Sequence, residues 1–350
     1  MENAEKKVLN TRFTVYNHIT NPEKMALVNK ENIQLGEDWF EYLASIDRSP
    51  RTIEQYKNDL SIFWVWNLEN NDNRFFVDLT KRQIAKFQNH AINTWGWSPN
   101  RIRRVKSVLS SLSNYIENIL DDEYEGYRPI IRKIENPALE PVREKTVLTY
   151  EQIEYLLGEL TNQKKYQAAC AVALAAYSGA RKAELIQFKV SYFDDTNLMY
   201  DGAMYKTPEN IRTKGRGKLG KQVPKYVLVA VKPYVDRWLQ ERKEQGIESE
   251  WLLISKHNGE WCQAATTLID YYMEISSEIL GENIYAHALR HLLVSEMVRK
   301  NIPSDVIMEF QKWSSDMIPV YNDNLAEDDF GKYFTADGIA TIENGNLGSV

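Results

Sequence analysis

From Asn32 to about Asp121, apolar side chains recur every three or four positions, at Trp39, Phe40 and Leu43 and again at Tyr56, Leu60, Phe63 and Trp64. That period places them on one face of an α-helix, so the segment predicts a small helical bundle with its apolar stripes turned inward. A second helix is expected to start at Ser49-Pro50-Arg51-Thr52, where a capping serine precedes a proline in the first turn. Leu79-Thr80-Lys81-Arg82-Gln83-Ile84 predicts a third helix. The stretch after Ser98-Pro99, running through Val108 and Leu112 to Ile119, predicts a fourth.

The period breaks between about Arg132 and Lys145, where Pro137 and Pro141 interrupt Ile134 to Pro141, as in an extended linker. Beyond it, Thr149 with Gln152 three residues on marks a helix start, followed by Ile153, Leu156 and Leu157 on one face. The alanine-rich stretch from Tyr166 to Tyr177 is a buried helix ended by Ser178-Gly179, with another helix starting around Arg181. Strand-like pieces follow at Leu198 to Tyr200, Asn210 to Thr213 and Val223 to Val231. Helices resume near Lys232-Pro233, over Ala265 to Leu280, Tyr285 to Lys300 and Ser304 to Lys312. The expected layout is an arm over 1–30, a helical domain over 31–132, a linker over 133–147, a mostly α domain with a small antiparallel β-sheet over 148–325, and a tail over 326–350.

Composition narrows the function classes. The 350 residues are 43% hydrophobic and 26% charged, enough for two modest cores. No run approaches the roughly 18 apolar residues of a membrane span, and Met1 to Lys30 lacks the apolar run of a secretory signal, so a cytoplasmic location is expected. Cys170 and Cys262 are far apart and have no metal-binding pattern around them. Both are expected to be buried thiols, and no metal site is indicated. A net charge of -6 argues against indiscriminate nucleic-acid binding, so any DNA-binding surface has to be a local patch.

Four segments of the second domain carry candidate chemistry. In Ser178-Gly179-Ala180-Arg181-Lys182-Ala183-Glu184, Arg181 follows a tight turn at a helix start, where guanidinium and helix N–H groups together suit an anion. Taken alone, Arg181 and Glu184 three apart are equally a surface ion pair. Arg212 to Lys221 holds five cations (Arg212, Lys214, Arg216, Lys218, Lys221), three glycines and no acid, which is either a solvated hairpin or a turn able to approach a backbone closely. His287 and Arg290 lie one helical turn apart and face the same way, as a phosphate-handling pair would, whereas His291 is expected to pack or bond to backbone. Last come Trp313 and, eight residues on, Tyr321. In the first domain Arg101, Arg103, Arg104 and Lys106 open the fourth helix with no acid before Glu117, which fits a solvated face or a helix in a DNA groove.

As an ordered set these segments resemble the tyrosine recombinase (phage integrase) family, which includes the lambda-type integrases and the Cre and Xer recombinases. The resemblance spans roughly residues 31–325. The family keeps an arginine in a Gly-x-Arg turn with an acid three residues later, a lysine in a basic hairpin, His-x-x-Arg, a histidine or tryptophan, and a tyrosine. Arg181, Glu184, Lys214, His287 with Arg290, Trp313 and Tyr321 stand at those places. Two departures are visible: Ala180 replaces a larger apolar residue, and the Trp313 to Tyr321 interval is one residue shorter than the family's usual spacing.

The resemblance implies a two-domain DNA clamp, with a helical core-binding (SAM-like) domain followed by the catalytic domain. It also implies site-specific cutting and rejoining of duplex DNA through a 3′-phosphotyrosine, without a cofactor. Arg181, Arg290 and Trp313 would hold the phosphate, Tyr321 would attack, His287 would accept its proton, Lys214 would protonate the leaving 5′ oxygen, and Glu184 would orient its neighbours. Arg101, Arg103, Arg104, Lys106, Arg212, Arg216, Lys218 and Lys221 would contact DNA. Implied partners are a specific DNA site, a homo-tetramer on DNA and an accessory DNA-bending or directionality protein, with the protein nucleoid-associated. Two other readings stay open on the residues alone: a phage-type repressor that keeps the fold but does not recombine, favoured by the short interval, and a type IB topoisomerase, disfavoured by the acidic charge.

Overall fold

The computed structural model describes residues 19–138, 146–215 and 220–322, with the backbone of 334–335 and 338–339. Most of the arm expected over 1–30, most of the tail, and the candidate DNA contacts Arg216 and Lys218 lie outside the described residues. The chain divides near residue 145 into two compact units. Among the described residues, no helix is long and apolar enough to cross a membrane.

The first unit holds helices α1 (Pro22–Leu27), α2 (Lys30–Ser45), α3 (Pro50–Asn70), α4 (Lys81–Asn93) and α5 (Pro99–Ile119). Their starts follow capping chemistry: Ser49 accepts from the Thr52 N–H, Thr80 and Gln83 form a reciprocal capping box, and Ser98 accepts from the Arg101 N–H. The inward faces meet in an aromatic core, where Phe87 packs edge-on against Phe63 at 5.1 Å and against Trp66 at 5.1 Å. Such pairs add about 1 kcal/mol each beyond the area they bury. Buried Asn32 and Asn67 both donate to the Arg74 carbonyl, at 2.8 and 2.7 Å, and so tie down the loop after α3.

The second unit is built around α7 (Tyr166–Ser178), whose small alanines let α6 (Tyr150–Asn162), α9 (Lys232–Glu244) and α11 (Ala286–Arg299) pack closely against it. It ends at Gly179, which adopts φ +60°, the left-handed conformation that favours glycine at a helix C-terminus. One turn of helix follows, α8 (Lys182–Leu185). Strands β1 (Leu198–Met199), β2 (Met204–Lys206) and β5 (Tyr226–Leu228) form a three-stranded antiparallel sheet in the order β1-β2-β5. Strands β3 (Ile211–Thr213) and β4 (Lys221–Val223) form a separate ladder in which Thr213 faces Lys221.

The single strand expected over Val223 to Val231 is instead the end of β4, then β5, then a 3-10 turn over Val229–Val231. Pro224 has no N–H to continue a ladder, so the chain changes partner there from β3 to β2. A further hairpin, β6 (Ile254–His257) and β7 (Glu260–Gln263), was not expected. Asn258 and Gly259, both at positive φ, make the two-residue turn that hairpins favour, but the strands are too short and exposed to show a period. Cys262 lies on β7 and is exposed, which corrects its reading as a buried thiol, whereas Cys170 is buried in α7. The unit continues with α10 (Thr266–Leu280), α11, α12 (Ser304–Gln311) and a one-turn helix α13 (Ile318–Tyr321).

Candidate active site

Arg181 caps α8 and is held by the acid of that same turn. The Arg181 backbone N–H donates to Glu184 Oε2 at 3.0 Å, and Arg181 Nη1 donates to Glu184 Oε1 at 3.0 Å and to Thr213 Oγ1 at 3.2 Å. The Thr213 hydroxyl in turn donates to Glu184. Lys225 completes the cluster, with Nζ 2.7 Å from Glu184 Oε2 and both side chains almost wholly buried, 3% and 1% exposed. Burial alone would raise the Glu184 carboxyl, but the Lys225 charge and the hydrogen bonds prevail and hold it at about 2. Burial, reinforced by Arg290 and Arg181, pushes the Lys225 ammonium below its usual value against the pull of Glu184.

Helix α11 brings the next group. Arg290 is fully buried, and its Nη1 donates to the Gly179 carbonyl at 2.5 Å. Its Nε and Nη2 make no well-aligned hydrogen bond among the described residues, although the Tyr321 side chain lies close enough to favour the cation. A buried guanidinium with two unanswered donors costs free energy unless an anion takes them up. Burial and the neighbouring Arg181 lower it to about 10, so it remains a cation at neutral pH. One turn earlier, His287 is open to solvent at its edge, yet desolvation of the ring together with Arg290, Arg181 and His291 pushes it down and keeps it neutral.

Tyr321 enters from α13 and is buried at 6% exposure. Its ring stacks on Trp313 (5.0 Å between centroids, 25° between planes) and lies 4.8 Å from the His291 ring and 6.1 Å from that of His287. The Arg290 guanidinium carbon is 5.1 Å from the Tyr321 ring and 5.2 Å from the Trp313 ring. The Trp313 indole N–H is buried without an acceptor among the described residues, as is Gln311 Nε2 at the end of α12. Arg181, Glu184, Arg290, His287, Trp313 and Tyr321, drawn from α8, α11, α13 and the loop after α12, thus form one cluster. Lys214 is exposed and directly follows Thr213, whose hydroxyl is part of it.

The candidate DNA contacts are placed less uniformly. Arg212 is exposed, with its backbone paired to the Gln187 amide, and exposed Lys221 donates through Nζ to the Lys312 carbonyl at 3.2 Å. In the first unit Arg101 and Arg104 converge on the buried carboxylate of Asp59, at 2.7 and 2.9 Å, with Arg104 still 46% exposed. Arg103 donates to the Pro137 carbonyl at 3.0 Å. Lys106 turns inward to Gln88 and to the Ile134 and Glu135 carbonyls, so its ammonium fastens the segment after α5 and is not on the surface.

Sequence reasoning missed Lys225, Gln311 and Thr213, whereas His291, expected to pack or bond to backbone, packs its ring against that of Tyr321. The available signal was a lysine inside the otherwise apolar run Val223 to Val231.

Residues 146–327 match the phage integrase family, and residues 35–125 match the phage integrase N-terminal SAM-like domain. The chain belongs to the phage integrase family. The recombinase-like protein YomM from the SPbeta prophage of Bacillus subtilis is 26% identical over 275 residues, covering 77% of this chain and 80% of that protein. A tyrosine recombinase of Thermosipho africanus is 24% identical over 287 residues, covering 77% and 87%. Among solved structures, a lambda integrase tetramer bound to a Holliday junction shares the fold, with a TM-score of 0.59 and 16% identity over 83% of this chain and 76% of that one. For a phage integrase family chain, the matched segments are the helical first unit and the α+β second unit that carries the cluster.

Proposed function

We propose that this protein is a site-specific recombinase that cuts and rejoins duplex DNA through a 3′-phosphotyrosine on Tyr321. The observation that carries the reading is the set of buried, unanswered N–H donors, Arg290 Nε and Nη2 and Trp313 Nε1, gathered around a buried tyrosine ring. Donors fixed in advance where charge develops suit a pentacoordinate phosphorane, whose extra negative charge they answer without rearrangement. Arg181 adds a second guanidinium from the α8 turn.

The chemistry balances with these side chains. The Tyr321 oxygen forms a bond to phosphorus and passes its proton to His287, whose lowered basicity leaves it neutral and able to accept. The bond to the 5′ oxygen breaks, and Lys214 protonates that oxygen. Attack by a 5′ hydroxyl on the phosphotyrosine reverses each step and rejoins the strand, with no net change in bond energy. The short Trp313 to Tyr321 interval, which favoured a non-cutting repressor, is compatible with a tyrosine stacked on the tryptophan and beside Arg290. A specific DNA site, a tetramer on DNA and an accessory DNA-bending or directionality protein remain part of the proposal, the first two in line with the lambda integrase tetramer on a Holliday junction.

The test starts with selection of bound duplexes from a random pool. The enriched site, nicked to trap the intermediate, is incubated with protein and run on a denaturing gel. A covalent protein–DNA band that disappears in Tyr321→Phe is expected. A band that persists in that variant overturns the assignment of the nucleophile, and its absence from the wild-type protein overturns the enzymatic reading.

A further inference from the structure

Lys225 has no place in the chemistry above, yet it is a charged side chain buried at its core. The chain delivers it there through Pro224, at the point where the backbone leaves the β3–β4 ladder for the three-stranded sheet. Its backbone is fixed by Thr207, which accepts the Lys225 N–H on its hydroxyl at 2.9 Å and donates its own N–H to the Lys225 carbonyl at 2.9 Å. From that anchor Nζ reaches Glu184 Oε2 at 2.7 Å. Glu184 is the junction of the site: one oxygen takes the Arg181 N–H, the other takes Arg181 Nη1 and the Thr213 hydroxyl. A carboxylate this buried stays ionised only with a close cation, and Arg181, at 28% side-chain exposure, is itself partly turned to solvent.

We infer that Lys225 is a positioning residue, the buried counter-ion that keeps Glu184 charged so that Glu184 can hold the Arg181 guanidinium and the root of the Lys214 turn. The inference deepens the proposed recombinase reading and rests on it. The charged and titratable groups that face Glu184 are Arg181 on its own turn, Lys225 before β5, and Arg290 and His287 on α11. With Lys225 removed, Arg181 is the one cation left in direct contact among the described residues. The carboxyl then takes up a proton nearer neutrality, and the grip on Arg181 and Thr213 is lost with it.

The experiment compares wild type, Lys225→Met, Lys225→Arg and the double variant Glu184→Gln/Lys225→Met. Each is measured for single-turnover formation of the covalent complex on the nicked site from about pH 5 to 9, for DNA affinity and for thermal unfolding. The Glu184 carboxyl is followed separately by carbon NMR in selectively labelled protein without DNA. Expected are a loss on the order of 10- to 100-fold in Lys225→Met at pH 7, of the size given by a misplaced positioning group, with a new acid limb that climbs towards the wild-type rate as pH rises. Lys225→Arg should recover most of that loss. The double variant, which leaves no unpaired buried charge, should fold as stably as wild type while staying slow and without the new limb. The inference is overturned if Lys225→Met keeps the wild-type pH profile, if its slowing merely follows its melting temperature, or if its Glu184 titrates where the wild-type carboxyl does. A wild-type protein that forms no covalent complex counts against the recombinase reading instead, and the carboxyl titration still decides the role of Lys225.

Discussion

Gly179 is the point where the helical core and the candidate phosphate site share an atom, and replacing it by alanine tests whether both depend on it. Its φ of +60° disfavours any residue with a Cβ, at a cost of about 1 to 2 kcal/mol. The added Cβ would also lie 2.5 Å from Gln311 Nε2 and 3.0 Å from its Oε1, closer than atoms pack, so the buried Gln311 amide, α12 or the turn has to yield. Overpacking of this kind costs about 1 to 3 kcal/mol, which with the backbone penalty gives about 2 to 5 kcal/mol. For a unit of this size that is a fall of roughly 4 to 20 °C in the melting temperature. The Gly179 carbonyl also anchors Arg290 Nη1, so a displaced turn displaces the guanidinium, and an ångström of misplacement costs on the order of 100-fold in cleavage. Calorimetry and single-turnover cleavage measure the two effects. The double variant with Gln311→Ala, which removes the clash but keeps the strained φ, should be at least about 1 kcal/mol more stable than the two single changes add up to. A Gly179→Ala protein with an unchanged melting temperature and cleavage rate would refute the reasoning.

Other outcomes follow from the same geometry. Because burial and two guanidiniums push His287 down, its neutral form persists below pH 6.5, so the acid limb of the cleavage rate should fall below that pH. His287→Gln should remove the limb and slow cleavage on the order of 10²- to 10⁴-fold, whereas a limb at or above pH 6.5 would contradict the assignment. Glu184, held at about 2 when folded, contributes stability that is fully present above its ordinary value near 4.5 and is lost as pH falls towards 2. Melting curves of Glu184→Gln should lack that part of the acid slope. Lys106→Met strands three partly buried acceptors and should cost about 1 to 3 kcal/mol in urea unfolding while leaving the salt dependence of DNA binding unchanged. A slope reduced by about 1 would mean that Lys106 does reach a phosphate.

What could be read from the chain tracks how local the physics is. The helices of the first unit were legible because a cap, a proline and a three-to-four period all lie within a few residues, as at Ser49-Pro50 and Thr80 with Gln83. Arg181, His287 and Arg290 were legible because each belongs to a short motif. The inward turn of Lys106 was not, since its acceptors Ile134 and Glu135 lie 28 and 29 residues on and no charge pattern marks a carbonyl. Nor was Lys225, whose role exists only once Pro224 has moved the chain from one ladder to another and set it beside an acid from α8. The β6–β7 hairpin escaped because its strands are exposed, and period-two patterning records burial on one face.

The interval between Trp313 and Tyr321 shows the limit of counting residues. A spacing one residue short suggested a tyrosine off the line of attack, but spacing sets only the length of chain available, and local hydrogen bonds decide where it goes. Here Lys312 takes a left-handed conformation at φ +55°, which turns Trp313 back over the end of α12, where its backbone N–H donates to the Met308 carbonyl. Asp316 then accepts the Ile318 N–H at 2.9 Å, the Met317 carbonyl accepts from Val320 and Tyr321, and α13 closes as a single turn. The Ser295 hydroxyl of α11 fastens the Tyr321 carbonyl at 3.2 Å. A helical turn advances only about 1.5 Å per residue against about 3.3 Å when extended. The ring has to return only to within 5.0 Å of the indole, so the shorter link still suffices even with a helical turn in it. The chemistry asks for that placement, which a fixed number of intervening residues does not by itself secure.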